Sequence, residues 1–149
     1  MSARVLHMIA QARASGDPAG LAAQVPYAQT FGISLALQQG ELLGVMKFSD
    51  ALVGNPMLPA IHGGAICALL ESTAIFQLLW ESETIVLPRT ITITVDYLRS
   101  GRAVDTFARG TITRLGRRVA SVRAEAWQED RTKPIATANA HLLITPSSE

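Results

Sequence analysis

Cysteine occurs once in the 149 residues, at Cys67, so no disulfide can close within the chain. Its neighbours are apolar and no basic residue stands at helical spacing to draw out a thiolate, which makes it a small core residue rather than a nucleophile. An excess of charge of one sign is missing as well. There are 13 Lys and Arg against 12 Asp and Glu, a formal net charge of +1. The basic residues are dispersed and aromatics make up only 5% of the chain, which excludes a nucleic-acid-binding surface. No apolar run reaches the ~20 residues that cross a bilayer. The longest, 65–80, carries Glu71 and Gln77. Gln11 and Arg13 follow soon after Met1, with no long apolar core and no small-residue cleavage site, so no secretory signal is evident and a cytoplasmic protein without membrane contact is expected. Repeats, linkers and low-complexity segments are lacking too, and a chain of this length makes one domain with a proper core.

Apolar residues, by contrast, are plentiful. They make up 48% of the sequence, and the mean hydropathy is positive, which is high for a small soluble monomer and points to self-association.

The run from Ala65 to Trp80 has no Gly or Pro and few β-branched residues, so helix is favoured over strand. At helical spacing its one acid, Glu71, shares a face with Cys67, Ala68, Ile75 and Leu78. Ser72, Thr73 and Gln77 are too weakly hydrophilic to make an outer face, and the helix is predicted to be enclosed on most sides. A protein does not normally desolvate an unpaired acid. Either Glu71 snorkels to a gap or pairs with an arginine and serves stability, or desolvation raises its pKa and a cleft uses it as a base or nucleophile toward an electrophilic carbon. His62-Gly63-Gly64 at the helix start favours the second reading. Backbone N–H groups exposed there, reinforced by the helix dipole, can stabilise an oxyanion, although a tight turn needs glycines for its own reasons.

Around this helix the sequence predicts an α+β fold. Val5, Met8, Ile9 and Ala12 recur at helical spacing, giving a helix over the first fifteen residues that ends near Gly16-Asp17-Pro18, with a short helical turn at 19–24. Strands are expected at 31–38 and 41–48, hinged at Gln39-Gly40, after which Asn55-Pro56-Met57-Leu58-Pro59 punctuates the chain. Thr90 to Tyr97 alternates polar and apolar residues almost strictly. Residues 103–114 and 117–128 form a hairpin around Leu115-Gly116, and 134–144 follows with Ala136, Ala138, Ala140 and Leu142 on one face. Small residues on that face let a helix approach closely, so one antiparallel sheet curls around one buried helix. Pro146 to Glu149 reads as a loose tail.

Asn55, then His62-Gly63-Gly64, then a carboxylate nine positions beyond the histidine at Glu71 resemble the hot-dog fold thioesterases. Within them the pattern is similar to the phenylacetate-pathway-like (PaaI-type) acyl-CoA thioesterases. Weaker echoes are Val25-Pro26-Tyr27, Gly32-Ile33, Val95-Asp96-Tyr97-Leu98-Arg99 and Gly116-Arg117-Arg118, so the likeness runs from about residue 25 to 144. Ile75 and Pro56 depart from the pattern, standing where some relatives carry a hydroxyl residue and an amide.

The resemblance implies a single hot-dog domain over 1–149, with an N-terminal helical segment 1–25 and a core 26–145. It further implies hydrolysis of an acyl thioester, usually of coenzyme A, with no metal or redox cofactor. The Gly63 N–H takes the oxyanion role, Glu71 acts as general base or nucleophile, Asn55 positions the water or the carbonyl, and His62 orients the loop. Gly64 falls beside Gly63 in the substrate-binding set. Arg99, Arg102, Arg117 and Arg118, at strand ends and turns, are candidates for the phosphates, although any single one reads more readily as a solvated hairpin arginine. An apolar acyl pocket is expected along the central helix and near Met57 and Leu58.

The residues leave two other functions open: a hydratase or dehydratase of acyl thioesters, and a non-catalytic acyl-CoA-binding module. Spacing adds one further point. Eight residues of helix separate Gly63 from Glu71 by about 12 Å at ~1.5 Å per residue, too far for one carbonyl to meet both. The donor and the acid of one site are therefore expected from two chains of a homodimer or homotetramer.

Overall fold

The computed structural model describes residues 3–83 and 86–145. Helix α1 (Ala3–Ser15) buries Ile9 and Ala12, the stripe its spacing predicts, and stops at Gly16, whose φ of 70° few other residues would adopt. α2 (Ala19–Ala23) follows as expected. α3 (Pro26–Thr30) has no apolar period to announce it, but Pro26 at its first position suits a place where no N–H is needed. Strands β1 (Ile33–Gln38) and β2 (Glu41–Met46) pair as a hairpin turned by Gln39 and Gly40, with φ of 52° and 79°.

A 3₁₀ turn, Asp50–Leu52, leads into β3 (Val53–Asn55) and β4 (Leu58–Ile61), a small two-stranded sheet of its own. What reads in the sequence as punctuation at 55–59 is thus the tip of a hairpin whose strands are too short to show alternation.

α4 (Gly63–Glu81) then runs across the main sheet. That sheet is antiparallel throughout and is completed by β5 (Arg89–Tyr97), β6 (Thr106–Leu115), β7 (Val119–Trp127) and β8 (Ala136–Leu143), in the order β1-β2-β6-β7-β8-β5. The tail expected from Pro146 lies outside the described residues.

Register explains how helix and sheet come so close. Gly44, Ala108, Ala126 and Ala136 stand side by side across four strands, and Gly110, Ala124 and Ala138 form a second such row. A Cβ on Gly44 would collide with Thr73 Oγ1, and one on Gly110 would come within 2.9 Å of Gln77 Cβ, so both glycines are required by the helix lying on them. Leu69, Leu70 and Leu78 are fully buried in return, each contributing about 2 kcal/mol. By length and composition α4 passes for a membrane span, yet most of it is buried within the protein itself.

Enclosure of α4 is less complete than its composition predicts. Cys67, Glu71, Ser72 and Ile75 are only half-buried. The sheet covers one side of the helix, while the N-terminal helices reach its far end, where the Arg13 guanidinium donates to the carbonyls of Leu79 and Ser82. A stripe from Gly63 through Cys67 and Glu71 to Ile75 is left partly open.

Candidate active site

His62 leaves β4 with an extended backbone (φ −60°, ψ 135°) and caps α4, its Nδ1 accepting the Gly64 N–H at 2.8 Å. In the neutral ring this places the proton on Nε2. The imidazole lies against Gly54, where a Cβ would come within 2.6 Å of Cδ2. The donor of Gly64 is therefore used inside the turn. Gly63, at the first helical position, presents an N–H with no acceptor among the described residues, at the positive end of the α4 dipole. Its carbonyl accepts from the Tyr97 hydroxyl at 2.8 Å, and the Tyr97 ring stands 3.2 Å from where a Gly63 Cβ would be. Burial pushes the Tyr97 hydroxyl above its ordinary pKa, with Cys67 adding to the shift, so it stays a donor at neutral pH.

Asn55 ends β3, and its Oδ1 accepts the Met57 N–H at 2.9 Å. The carbonyl half of the carboxamide thus closes the hairpin tip. A cleft of about 400 Å³ opens beside Gly63, walled by Ala60, Ile66, Tyr97, Leu98 and Arg99.

Glu71 lies two turns along α4 and lines a different cavity. Its Oε1 accepts the Thr90 hydroxyl at 2.6 Å, and among the described residues no Lys or Arg forms an ion pair with it. The acid is neither bathed in solvent nor locked to an arginine. The cavity beside it, about 250 Å³, is bounded by Ile75, Phe76 and Leu79 of α4, Tyr27 of α3, and Leu87 and Pro88. Met57 and Leu58, expected near the acyl pocket, take no part in it. They sit exposed on the β3–β4 hairpin, because that hairpin flanks the start of α4 and not its middle. Cys67 is half-buried one turn before Glu71; burial pushes its thiol up and the neighbouring carboxylate pushes it further, so the thiol stays neutral.

Thr90 and Tyr97 are the polar partners that the sequence does not single out as site residues. Strict alternation from Thr90 to Tyr97 would point Thr90 away from Ile93 and Val95. In the structure β5 pairs Thr90 with Leu142 but Thr92 with His141, so Ile91 is an extra, exposed residue in a bulge. The bulge turns Thr90 to the same side as Ile93 and Val95 and aims its hydroxyl at the acid. Thr90→Val should keep the strand and lower turnover roughly tenfold, about the worth of one hydrogen bond to a charged group. Steady-state kinetics of that variant check it, and an unchanged kcat would remove Thr90 from the site.

The arginines do not gather. Arg99 borders the Gly63 cleft and donates to the Pro134 carbonyl at 2.8 Å, and Arg102 pairs with Glu129 at 2.6 Å. Arg117 and Arg118 lie on the β6–β7 turn, next to Val119, which is in register with Leu143 and Arg89 at the opposite end of β5. β5 is about 25 Å long and Arg99 lies just past its other end, so within one chain these arginines stand at opposite ends of the strand.

An antiparallel sheet wrapped around one long helix, with a capped glycine turn at the helix start and a half-buried acid two turns in, defines a hot-dog fold. The chain belongs to the thioesterase superfamily, whose family model it matches over residues 58–135. That span includes both His62-Gly63-Gly64 and Glu71. The sequence is 31% identical over 134 residues to the medium/long-chain acyl-CoA thioesterase YigI of Escherichia coli strain K12, covering 80% of this chain and 86% of that one. Among solved structures, a protein from Chromobacterium violaceum is 39% identical with a TM-score of 0.75, over 93% of this chain and 97% of that chain. A phenylacetic acid degradation-related protein from Ralstonia eutropha JMP134 shares the fold at a TM-score of 0.73 and 24% identity, over 91% and 98%.

Proposed function

We propose that this protein hydrolyses acyl thioesters of coenzyme A, with the oxyanion held by the Gly63 N–H of one chain and water activated by Glu71 of a second. The observation that carries this reading is the Glu71 carboxylate, fixed by Thr90 at the edge of an apolar cavity and unpaired with any described cation. An acid so placed has an oxygen without a partner among the described residues and a dry wall beside it for an acyl group.

As general base, Glu71 takes a proton from water while the water oxygen attacks the thioester carbon. Negative charge moves onto the carbonyl oxygen, where a preorganised N–H lowers the barrier by roughly 3 kcal/mol. The carbon–sulfur bond then breaks, the coenzyme leaves as its thiolate and takes up the proton held by Glu71, and the carboxylic acid product is released. In the variant path Glu71 Oε attacks first, the carbon–sulfur bond breaks with departure of the thiolate, and water opens the resulting anhydride to free acid and carboxylate. His62 orients the turn through its bond to Gly64, and the Asn55 NH₂ positions water or carbonyl. Arg99 is the arginine placed to meet a phosphate near Gly63, with Arg117 and Arg118 reaching the coenzyme only across subunits.

Two features support the second chain. Gly63 and Glu71 open into separate cavities about 12 Å apart along α4. β5 is an edge strand with its outer side unpaired among the described residues, next to the half-open stripe of α4 and the exposed Tyr97 and Leu98. A homodimer, or a homotetramer built from it, covers both.

Thiol release measured with a coloured thiol reagent across a panel of acyl-CoAs tests the activity; ligand-induced stabilisation with no release would leave only binding. Asn55→Ala is expected to slow turnover less than loss of Glu71, by about tenfold. Asn55→Asp keeps the hairpin acceptor and removes the NH₂, so equal losses in both variants place the effect in the NH₂. Wild-type kinetics in both would confine Asn55 to closing the turn.

A further inference from the structure

Two peptide groups meet at the Gly63 Cα, and among the described residues all but one of their polar groups are taken. The His62 carbonyl accepts the N–H groups of Ala65 and Ile66 at 2.9 and 3.2 Å. The Gly64 N–H donates to His62 Nδ1 and the Gly63 carbonyl accepts from the Tyr97 hydroxyl, both at 2.8 Å. The Gly63 N–H is left over. A residue without a side chain has no Cβ to restrict its backbone, so the direction of that N–H depends on how firmly the other groups around it are held.

Tyr97 holds the turn from outside the helix. It closes β5, where its backbone is in register with buried Ala136, and the next two residues, Leu98 and Arg99, both donate to the Ile135 carbonyl, at 2.8 and 3.1 Å. The strand end is thus tied to the core while the side chain reaches over the start of α4. There Cε1 and Cζ stand 3.2 Å from the place a Gly63 Cβ would fill and the hydroxyl oxygen 3.3 Å, so ring and hydroxyl both bear on this one residue. Tyr97 is also 53% exposed, which limits what it adds to the core. Its bond acts beyond Gly63 as well. The same peptide group accepts from Tyr97 at its oxygen and donates to His62 at its nitrogen, and each bond polarises the amide in favour of the other.

We propose that Tyr97 is a positioning residue of the oxyanion site, its hydroxyl holding the Gly63 carbonyl so that the unpaired N–H keeps its aim at the substrate carbonyl oxygen. The inference rests on the thioesterase reading above. Full negative charge develops on that oxygen in the transition state, so a donor out of line lowers rate and leaves substrate affinity alone.

Tyr97→Phe tests this, because it keeps the ring and removes the hydroxyl. Steady-state thiol release should show kcat about tenfold lower at unchanged KM, the worth of one hydrogen bond. Combined with Glu71→Gln, the two losses should multiply, since the side chains serve different groups. Amide hydrogen exchange of the full chain, followed by NMR, reads the turn without any substrate. The Gly64 N–H should exchange about tenfold faster in Tyr97→Phe, while Leu69 and Leu70 in the middle of α4 stay as protected as before. A raised KM at unchanged kcat overturns the proposal, and so does faster exchange with an unchanged kcat, which would leave Tyr97 a merely structural contact. Thiol release with kcat and exchange both unaltered by the substitution also overturns it and leaves the thioesterase reading standing. Faster Gly64 exchange in the variant, with no thiol released by the wild type from any acyl-CoA, upholds the hold on the turn and defeats the thioesterase reading.

Discussion

Glu71→Gln lowers kcat by about 10²- to 10⁴-fold, the usual contribution of a positioned general base, while KM and the melting temperature change little. The substitution keeps the side-chain volume. It also leaves a carbonyl oxygen able to accept the Thr90 hydroxyl, which now binds Oε1 at 2.6 Å. Only the capacity to take a proton or attack carbon is lost. Steady-state thiol release gives the rate, and calorimetry with a non-hydrolysable thioether analogue gives the binding. Near-normal turnover would place the reacting acid elsewhere. Because Thr90 acts through Glu71, adding Thr90→Val to Glu71→Gln should cost little more, whereas independent roles would multiply the two losses.

The second large effect is expected at Gly63 and reports on the number of chains in a site. Gly63→Pro removes the N–H and adds a Cβ beside the Tyr97 ring. Proline is well suited to the first position of a helix, and His62 with ψ of 135° already has the extended backbone that precedes proline. Loss of the oxyanion donor should lower kcat about 10²- to 10³-fold. Gly63→Ala brings a Cβ to the same Tyr97 ring, 3.2 Å away, but keeps the donor, so it measures the crowding by itself. When Gly63→Pro and Glu71→Gln chains are refolded together in equal amounts, half of the dimers are mixed. Each mixed dimer carries one site with both defects and one with neither, so activity should return to about a quarter of wild type. If one chain supplied both groups, mixing would restore nothing.

What could be read from the sequence follows the physics of each element. α4 was legible because sixteen residues without Gly or Pro and with an apolar majority admit no other structure, and its start was marked by the glycine pair. β7 and β8 were legible because Val122, Ala124 and Ala126, and Ala136, Ala138 and Ala140, alternate with polar residues on a sheet with one buried face. α3 and the β3–β4 hairpin were not, since five residues and three carry too little period to register. Of the candidate site, Glu71 and the His62-Gly63-Gly64 turn stood out from the residues themselves, and Asn55 through the family resemblance. The partners of Gly63 and Glu71 did not.

The sequence by itself determined that one apolar helix with a single acid would lie inside an antiparallel sheet, because local periods of 3.6 and 2 are properties of neighbouring residues. Only the tertiary structure decided how dry that acid is and what holds it. The sheet covers one side of α4 and leaves Glu71 half open, and a one-residue bulge at Ile91 brings a hydroxyl from nineteen positions downstream onto its carboxylate. Both depend on register between strands far apart in the chain, which no local pattern encodes.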